Sequence, residues 1–168
     1  MKKNRFNFKR WKIISLFSIV LAAVVFSTGC SKDHDNTSPD DGTGDKGKNI
    51  KITVSVNSAI DQSDYISFVS AGGVAVQGET TLWKVNGDTQ NSQQAISLGR
   101  NDFSGSTKTY VIESIKKLDA CSIGVQFINF GQDLKFSIKI EVDGKVSVDE
   151  ANKTLTGDGS DFTKQYTF

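Results

Sequence analysis

The sequence predicts an all-β protein folded as a single antiparallel β-sandwich of about eight strands. Apolar and polar residues alternate with a period of two in several windows, most regularly over residues 134–142. Turn residues separate these windows at intervals of roughly 8–12 residues, and Asp143-Gly144 is the strongest of these hairpin signals. No window has a persuasive period of 3.6 residues. We therefore expect strands and turns throughout the folded part.

The predicted strands follow one another from residue 50 to the last residue. Ile50, Ile52, Val54 and Val56 alternate with polar residues and open the series. The chain closes on Phe162, Tyr166 and Phe168, which share one face of a last strand. The other predicted strands are residues 65–71, 80–85, 95–98, 108–115, 120–130, 134–142 and 145–148, with a possible short strand at 74–77. An immunoglobulin-like or transthyretin-like sandwich fits this spacing, with Trp83 as a core residue.

Polar stretches between these strands predict loops. Residues 57–64 form one, and residues 86–94 form another because they contain no apolar residue. Residues 99–106 form a polar loop that holds Phe103, and residues 149–160 are rich in turn signals.

The N-terminal segment has the pattern of a secretory signal peptide. Residues 2–12 hold six Lys and Arg residues and no acid, and residues 13–26 form an uncharged, mostly apolar run. Ser27, Thr28 and Gly29 are small and precede Cys30. A transmembrane helix needs about 20 apolar residues, and this run is shorter. We therefore predict that residues 1–29 are a cleaved signal peptide.

Gly29-Cys30 at that position resembles the lipobox of bacterial lipoproteins. The family usually has Leu three residues before the cysteine, where this chain has Ser27. The resemblance implies that signal peptidase II cuts before Cys30, which then carries lipid on its sulfur and on its new N-terminus. Several acyl chains anchor a protein stably, whereas one chain alone binds marginally.

The segment after Cys30 predicts a flexible tether and a sorting signal. Residues 31–35 (Ser-Lys-Asp-His-Asp) resemble the acidic signal that sends some Gram-negative lipoproteins to the outer face of the outer membrane. Residues 30–48 contain no large apolar side chain, so we expect a lipidated, disordered acidic tether ahead of a β-sandwich domain at residues 49–168. Polar residues that merely begin a tether would give the same pattern, which leaves the periplasmic face as the alternative.

The charge of the mature chain argues against nucleic acid as a partner. Cleavage before Cys30 removes six of the 20 Lys and Arg residues and none of the 19 Asp and Glu residues, which leaves a net charge of −5. Binding to nucleic acid requires a basic face. The remaining 139 residues are one domain by length, large enough to bury about two-thirds of the unfolded surface.

The residues that usually carry catalysis are sparse. His34 is the only histidine and lies in the predicted tether, which excludes catalytic triads that rely on a histidine within the domain. Gly42-x-Gly44-x-x-Gly47 matches a dinucleotide fingerprint in letters but has no strand before it and no helix after it. Cys121 lies in an apolar run and is expected to be a buried thiol. We expect neither an enzyme nor a cofactor.

Two groups of polar residues remain as candidate binding sites. The loops 86–94 and 99–106 could bind a glycan or a protein, with Asn91, Gln93, Asn101 and Asp102 as hydrogen-bonding groups and Phe103 as an exposed ring. The alternative is that these loops only connect strands. Asp158 and Asp161 are weak candidates for calcium, because the spacing of an EF-hand is absent and solvated turns give the same composition.

The sequence thus predicts a non-catalytic lipoprotein of the outer membrane, facing the cell exterior, that binds a glycan or a protein through its loops. The alternative is a periplasm-facing structural subunit of an envelope machine, which would pair through a sheet edge or face.

Overall fold

A computed structural model describes residues 47–168 of the chain. Ten strands and one helical turn form two antiparallel sheets in this part, which confirms the predicted β-sandwich. The predicted signal peptide, Cys30 and nearly all of the predicted tether lie outside the described residues. No helix within residues 47–168 is long and apolar enough to cross a bilayer.

The elements follow one another in simple order. They are β1 (Ile50–Val56), β2 (Tyr65–Gly73), β3 (Trp83–Val85), β4 (Asp88–Gln90), β5 (Ala95–Gly99), α1 (Arg100–Ser104), β6 (Thr109–Ser114), β7 (Ala120–Asn129), β8 (Leu134–Val142), β9 (Lys145–Leu155) and β10 (Ser160–Thr167). One sheet has the order β4-β3-β6-β1-β8-β9, and the other has the order β10-β7-β2-β5.

The core lies between the sheets and contains the apolar residues of the alternating pattern. Ile52, Val54, Ile138 and Ile140 have no exposed surface, while the residues between them face outward. Phe127 of the four-stranded sheet contacts Phe136 of the six-stranded sheet edge to face, with ring centroids 4.9 Å apart. Trp83 is fully buried, as the sequence predicts.

Strand β4 lies inside a segment predicted to be a loop, so that prediction is wrong for residues 88–90. Asn86 and Gly87 both have positive φ values, 50° and 91°, and form a two-residue hairpin turn. The Asn86 side chain accepts a hydrogen bond from the Val111 N–H at 2.8 Å and thereby ties the turn to β6. The turn sets the pairing of β4 with β3. Because β4 is an edge strand with both faces exposed to solvent, it needs no apolar residue.

Three other predictions need correction. Residues 99–106 contain the helical turn α1 rather than an irregular loop, and residues 74–77 form no strand. Strand β9 continues to Leu155 across a segment predicted to be turns. Its pairing with β8 shifts register twice, and Asn152 has a φ of 52° at one of these bulges. Bulges on an edge strand accommodate polar residues and discourage pairing with other chains.

The connections cluster at the two ends of the sandwich. We call one end the loop end, which contains residues 57–64, α1, residues 130–133 and residues 156–159. The strand pairings place these segments together, because Val56 pairs with Phe136 and Asn129 pairs with Ser160 at this end. We call the other end the entry end, because the described chain begins there. Lys48 and Leu118 bridge at the entry end through backbone hydrogen bonds of 2.9 Å in both directions.

A buried carboxylate holds the loop end together. Asp64 is 5% exposed, and one of its oxygens accepts hydrogen bonds from the N–H groups of Phe130 at 3.0 Å and Gly131 at 3.3 Å. The other oxygen accepts the Asp61 N–H at 2.7 Å. A charged acceptor forms stronger hydrogen bonds than a neutral one. Asp64 therefore joins the β1–β2 loop to the β7–β8 loop.

Glycines let the same loops approach closely. A Cβ atom on Gly131 would lie 2.6 Å from the Asp61 Cβ, and one on Gly157 would lie 2.5 Å from the Gly131 carbonyl oxygen. Both distances are too short for a side chain, so the three loops can pack together only because these positions are glycine.

We predict that Asp64→Asn lowers the free energy of unfolding by about 1.5–3 kcal/mol, because the amide nitrogen of asparagine cannot accept the N–H that a carboxylate oxygen accepts. Urea unfolding measures this loss. Asp88→Asn is the matched control, since it removes the same charge from an exposed position. Equal stabilities for Asp64→Asn and the parent chain would contradict the role given to this carboxylate.

Candidate functional site

A polar groove opens at the loop end between the start of β2 and the helical turn α1. It encloses about 450 Å³ and is lined by Asp64, Tyr65, Ile66, Gly99, Arg100, Asn101 and Asp102. Strands fix both walls, because Ser67 of β2 pairs with Gly99 of β5 immediately below the groove. The groove is thus a preformed feature of the fold, as many ligand sites are.

Tyr65 supplies an exposed aromatic ring in the groove. Its side chain is 48% exposed, whereas the next residue, Ile66, is 4% exposed and belongs to the core. Neighbouring residues of a strand point to opposite faces of the sheet. The burial of Ile66 therefore requires Tyr65 to face outward.

Arg100 and Asp61 set the charge at the rim of the groove. The Arg100 guanidinium donates a hydrogen bond to the Gln62 carbonyl oxygen, which connects α1 to the β1–β2 loop. The pKa of Asp61 is lowered mainly by a hydrogen bond from the Ser63 backbone N–H, and the nearby Arg100 charge acts in the same direction. The Arg100 and Asp61 charges are thus near enough to interact beside the groove.

Asn101 and Asp102, predicted as hydrogen-bonding groups, both lie in the groove and are exposed. One Asp102 carboxylate oxygen accepts the Gly99 N–H at 2.7 Å and closes the first turn of α1. The Asp102 carbonyl oxygen accepts the Tyr110 hydroxyl at 2.9 Å. Burial raises the pKa of that hydroxyl, and the Asp102 charge adds to the effect. Tyr110 therefore stays protonated and able to donate.

Phe103 is placed differently from the sequence prediction. Its side chain has no exposed surface, and its ring meets that of Tyr110 edge to face with centroids 5.2 Å apart. The helical turn directs Phe103 into the core while Asn101 and Asp102 remain outside. Phe103 therefore cannot stack on a ligand as an exposed ring, and Tyr65 is the aromatic residue of the groove.

The two candidate loops do not converge on one site. Asn91 and Gln93 are exposed, but they follow β4 near the entry end. Their segment is tied there by the Ser92 N–H, which donates to the Thr81 hydroxyl at 3.0 Å. Only Asn101 and Asp102 of the predicted binding residues share the groove.

The calcium candidates lie on and after the β9–β10 turn, at the loop end. Asp158 has a φ of 67° within the turn, and Asp161 is paired with Ile128 near the start of β10. The Asp161 carboxylate accepts a hydrogen bond from the Thr163 hydroxyl at 3.2 Å. Within residues 47–168, no three His, Cys, Asp or Glu side chains are grouped closely enough to hold a metal ion.

Cys121 is a structural thiol, as the sequence predicts. It is 2% exposed, and burial raises the pKa of its thiol to about 11. A thiol with that pKa is almost entirely protonated at neutral pH, which leaves it unreactive as a nucleophile.

Comparisons with known proteins identify similar folds. No protein-family model matches the sequence, and no curated protein is similar to it. Among solved structures, a DUF4425 family protein from Bacteroides ovatus has a TM-score of 0.50 at 13% identity, and this comparison covers 73% of this chain and 94% of that one. A DUF4425 domain of unknown function from Bacteroides vulgatus has a TM-score of 0.51 at 14% identity, with the same coverage.

A third structure is the calcium-bound form of a protein from Parabacteroides distasonis. Its TM-score is 0.53 at 16% identity, and the comparison covers 77% of this chain and 99% of that one. At these identities the three structures establish a shared fold and nothing about activity.

Proposed function

We propose that the protein is a non-catalytic binding module of the outer membrane, anchored through lipid on Cys30, and that the groove at the loop end is its binding site. The observation that carries this proposal is the position of Tyr65, an exposed ring beside a turn of three polar residues. The proposal assigns the module a glycan ligand in preference to a protein.

The chemistry of the groove suits a sugar. A sugar ring has apolar C–H faces that pack on an aromatic ring, and hydroxyls that both donate and accept hydrogen bonds. Tyr65 supplies the ring, Arg100 supplies donors, and Asn101 supplies a donor and an acceptor on one side chain. The groove, at about 450 Å³, lies in the size range of sites for small ligands.

Both carboxylates that line the groove serve the fold, which favours binding without catalysis. Each oxygen of Asp64 accepts at least one backbone N–H, and Asp102 closes α1 through the Gly99 N–H. Hydrolysis of a glycosidic bond needs one carboxyl group free to donate a proton and a second one free to act as base or nucleophile. These hydrogen bonds leave no such pair in the groove.

We predict that Tyr65→Ala weakens glycan binding at least about tenfold, or ~1.4 kcal/mol, because aromatic contacts dominate such sites. Calorimetric titration of the parent chain and the variant with neutral oligosaccharides measures this change in affinity. Tyr65→Phe should retain most of the affinity, since the ring remains.

Phe130→Ala is the matched control for this experiment. Phe130 is 54% exposed and lies at the same end of the sandwich, but it does not line the groove. If Tyr65→Ala and Phe130→Ala had the same effect, or if no glycan bound to the parent chain, the groove would not be the site proposed.

We predict that protease added to intact cells cleaves a C-terminally tagged copy of the full-length chain. The acidic segment after Cys30 supports exposure on the cell surface. Cys30→Ser is the control, because a chain without the acylated sulfur should leave the membrane fraction. Cleavage only after lysis would instead support the alternative function, a periplasm-facing structural or assembly subunit.

A calcium site at Asp158 and Asp161 is a second proposal, favoured by the calcium-bound neighbour with the same fold. Backbone carbonyls would have to complete the ligand set, since calcium takes six to eight oxygens. We expect millimolar calcium to raise the unfolding temperature of the parent chain but not that of Asp158→Asn, as measured by calorimetry with a chelator as reference. The same rise in both chains, or no rise at all, would exclude this site.

A further inference from the structure

The two sheets have outward faces of different chemistry. On the six-stranded sheet, Lys51 pairs with Glu113 at 3.1 Å and Lys139 pairs with Glu141 at 3.4 Å. Lys84 lies opposite Glu113 on the neighbouring strand β3 and adds another charge to this face. Such a mixture of charges is typical of a face exposed to solvent. The outward face of the four-stranded sheet carries one charged residue, Asp161, and that residue lies at the loop end.

The four-stranded sheet presents mainly hydroxyl, amide and small side chains on this face, together with the exposed Val69. The outward residues below the loop end are Ser67, Val69 and Ala71 of β2, Ser122, Gly124 and Gln126 of β7, Thr163, Gln165 and Thr167 of β10, and Ala95 and Ser97 of β5. In a domain whose mature chain has a net charge of −5, a neutral face with many hydrogen-bonding groups favours an uncharged polar ligand.

A trough runs through the middle of this neutral face. It encloses about 330 Å³, with Gly124 in its floor and Ser67, Gln126, Thr163 and Gln165 along its sides. A Cβ on Gly124 would meet no atom within 4 Å, so the absence of a side chain leaves open space above the central strand. Four polar side chains and the exposed Val69 therefore border a gap in the face.

Lys164 also lines the trough, but its charge faces β9. Its ammonium lies 6.0 Å from the centre of the Phe162 ring, a residue that packs against the core. A hydrogen bond from the Lys153 side chain is the main cause of the lowered pKa of Glu150 on β9, and the Lys164 charge acts in the same direction. Lys164 thus leaves the neutral character of the trough intact.

The trough and the groove lie on one continuous surface. Tyr65, Ser67 and Val69 are successive outward residues of β2; the first lines the groove and the other two line the trough. The distance along the strand from Tyr65 to Val69 is about 13 Å, at roughly 3.3 Å per residue. A ligand that spans both features must be a chain of several units.

We propose that the neutral face, with its trough at Gly124, extends the glycan site and binds a chain of uncharged sugars that begins at Tyr65. This inference rests on the proposed function, because the groove supplies the aromatic end of the site. The ligand class is an uncharged polysaccharide, whose hydroxyls match the hydroxyl and amide groups of the trough and which carries no charge to desolvate.

The test uses the length of the oligosaccharide together with a substitution that fills the trough. The probes are disaccharides and hexasaccharides of β-1,4-xylan, of α-1,4-glucan and of β-1,4-mannan. We expect the parent chain to bind one of the hexasaccharides about tenfold more tightly than the matching disaccharide. Gly124→Val should abolish that gain and leave binding of the disaccharide unchanged.

Gly124→Val suits this purpose because the space above the glycine is open and valine is favoured in strands. Unfolding experiments on the variant should give a stability at least equal to that of the parent chain. Thr53→Val is the control, since it alters an outward residue of the middle strand of the other sheet.

Three results would overturn the inference. One is a full gain with length in Gly124→Val. Another is binding of polygalacturonate, a charged polysaccharide, as tight as that of the neutral chain. The third is dimerisation of the parent chain, seen by analytical ultracentrifugation and lost in Gly124→Val. If Tyr65→Ala still abolished disaccharide binding in any of these cases, the proposed function would stand and only its extension would fail.

Discussion

The buried carboxylate of Asp64 is the interaction on which the loop end depends. Its two oxygens accept N–H groups from two loops that are far apart in sequence, and a buried charge without such partners would cost several kcal/mol. The neighbouring residue, Tyr65, begins β2 and carries the exposed ring. The contact that closes the loops therefore also positions the backbone from which this ring projects. A site fixed before binding loses little conformational entropy when the ligand arrives.

The same alternation of residues that builds the core also gives each sheet an outward face, and the two outward faces differ. Both sheets bury aliphatic and aromatic residues inward. Outward, the six-stranded sheet carries paired charges, whereas the four-stranded sheet carries hydroxyl and amide groups around Gly124. The core does not require this difference, because outward residues contribute little to burial. This difference between the outward faces is the basis of the ligand site proposed for the four-stranded sheet.

Strands with one buried face could be predicted from the sequence, and strands whose two faces are both exposed to solvent could not. The bounds of β8 match the predicted 134–142 because Leu134, Phe136, Ile138 and Ile140 are buried and alternate with more exposed residues. Strand β4 and the second half of β9 were missed because turn geometry and bulges, rather than apolar residues, hold them in the sheet. The last strand was predicted correctly from the shared face of Phe162, Tyr166 and Phe168, which all pack against the core.

The site was harder to predict than the fold, because it depends on contacts between distant segments. Arg100 donates to the Gln62 carbonyl across 38 positions of sequence, which no local pattern reveals. The polar neighbours of Phe103 predict an exposed ring, yet one helical turn suffices to direct it inward. The alternation Tyr65, Ile66, Ser67, Phe68 did hold the missing signal, since burial of Ile66 and Phe68 places Tyr65 outside.

The most direct test of the account is a titration of the isotope-labelled domain with neutral oligosaccharides, followed by amide chemical shifts in NMR. We expect the shifting amides to form one continuous band. That band begins at Tyr65 and residues 100–102 and continues through Ser67 and Gly124 to Gln165. Shifts confined to the charged face of the six-stranded sheet or to the entry end, or no shifts with any neutral glycan, would contradict it.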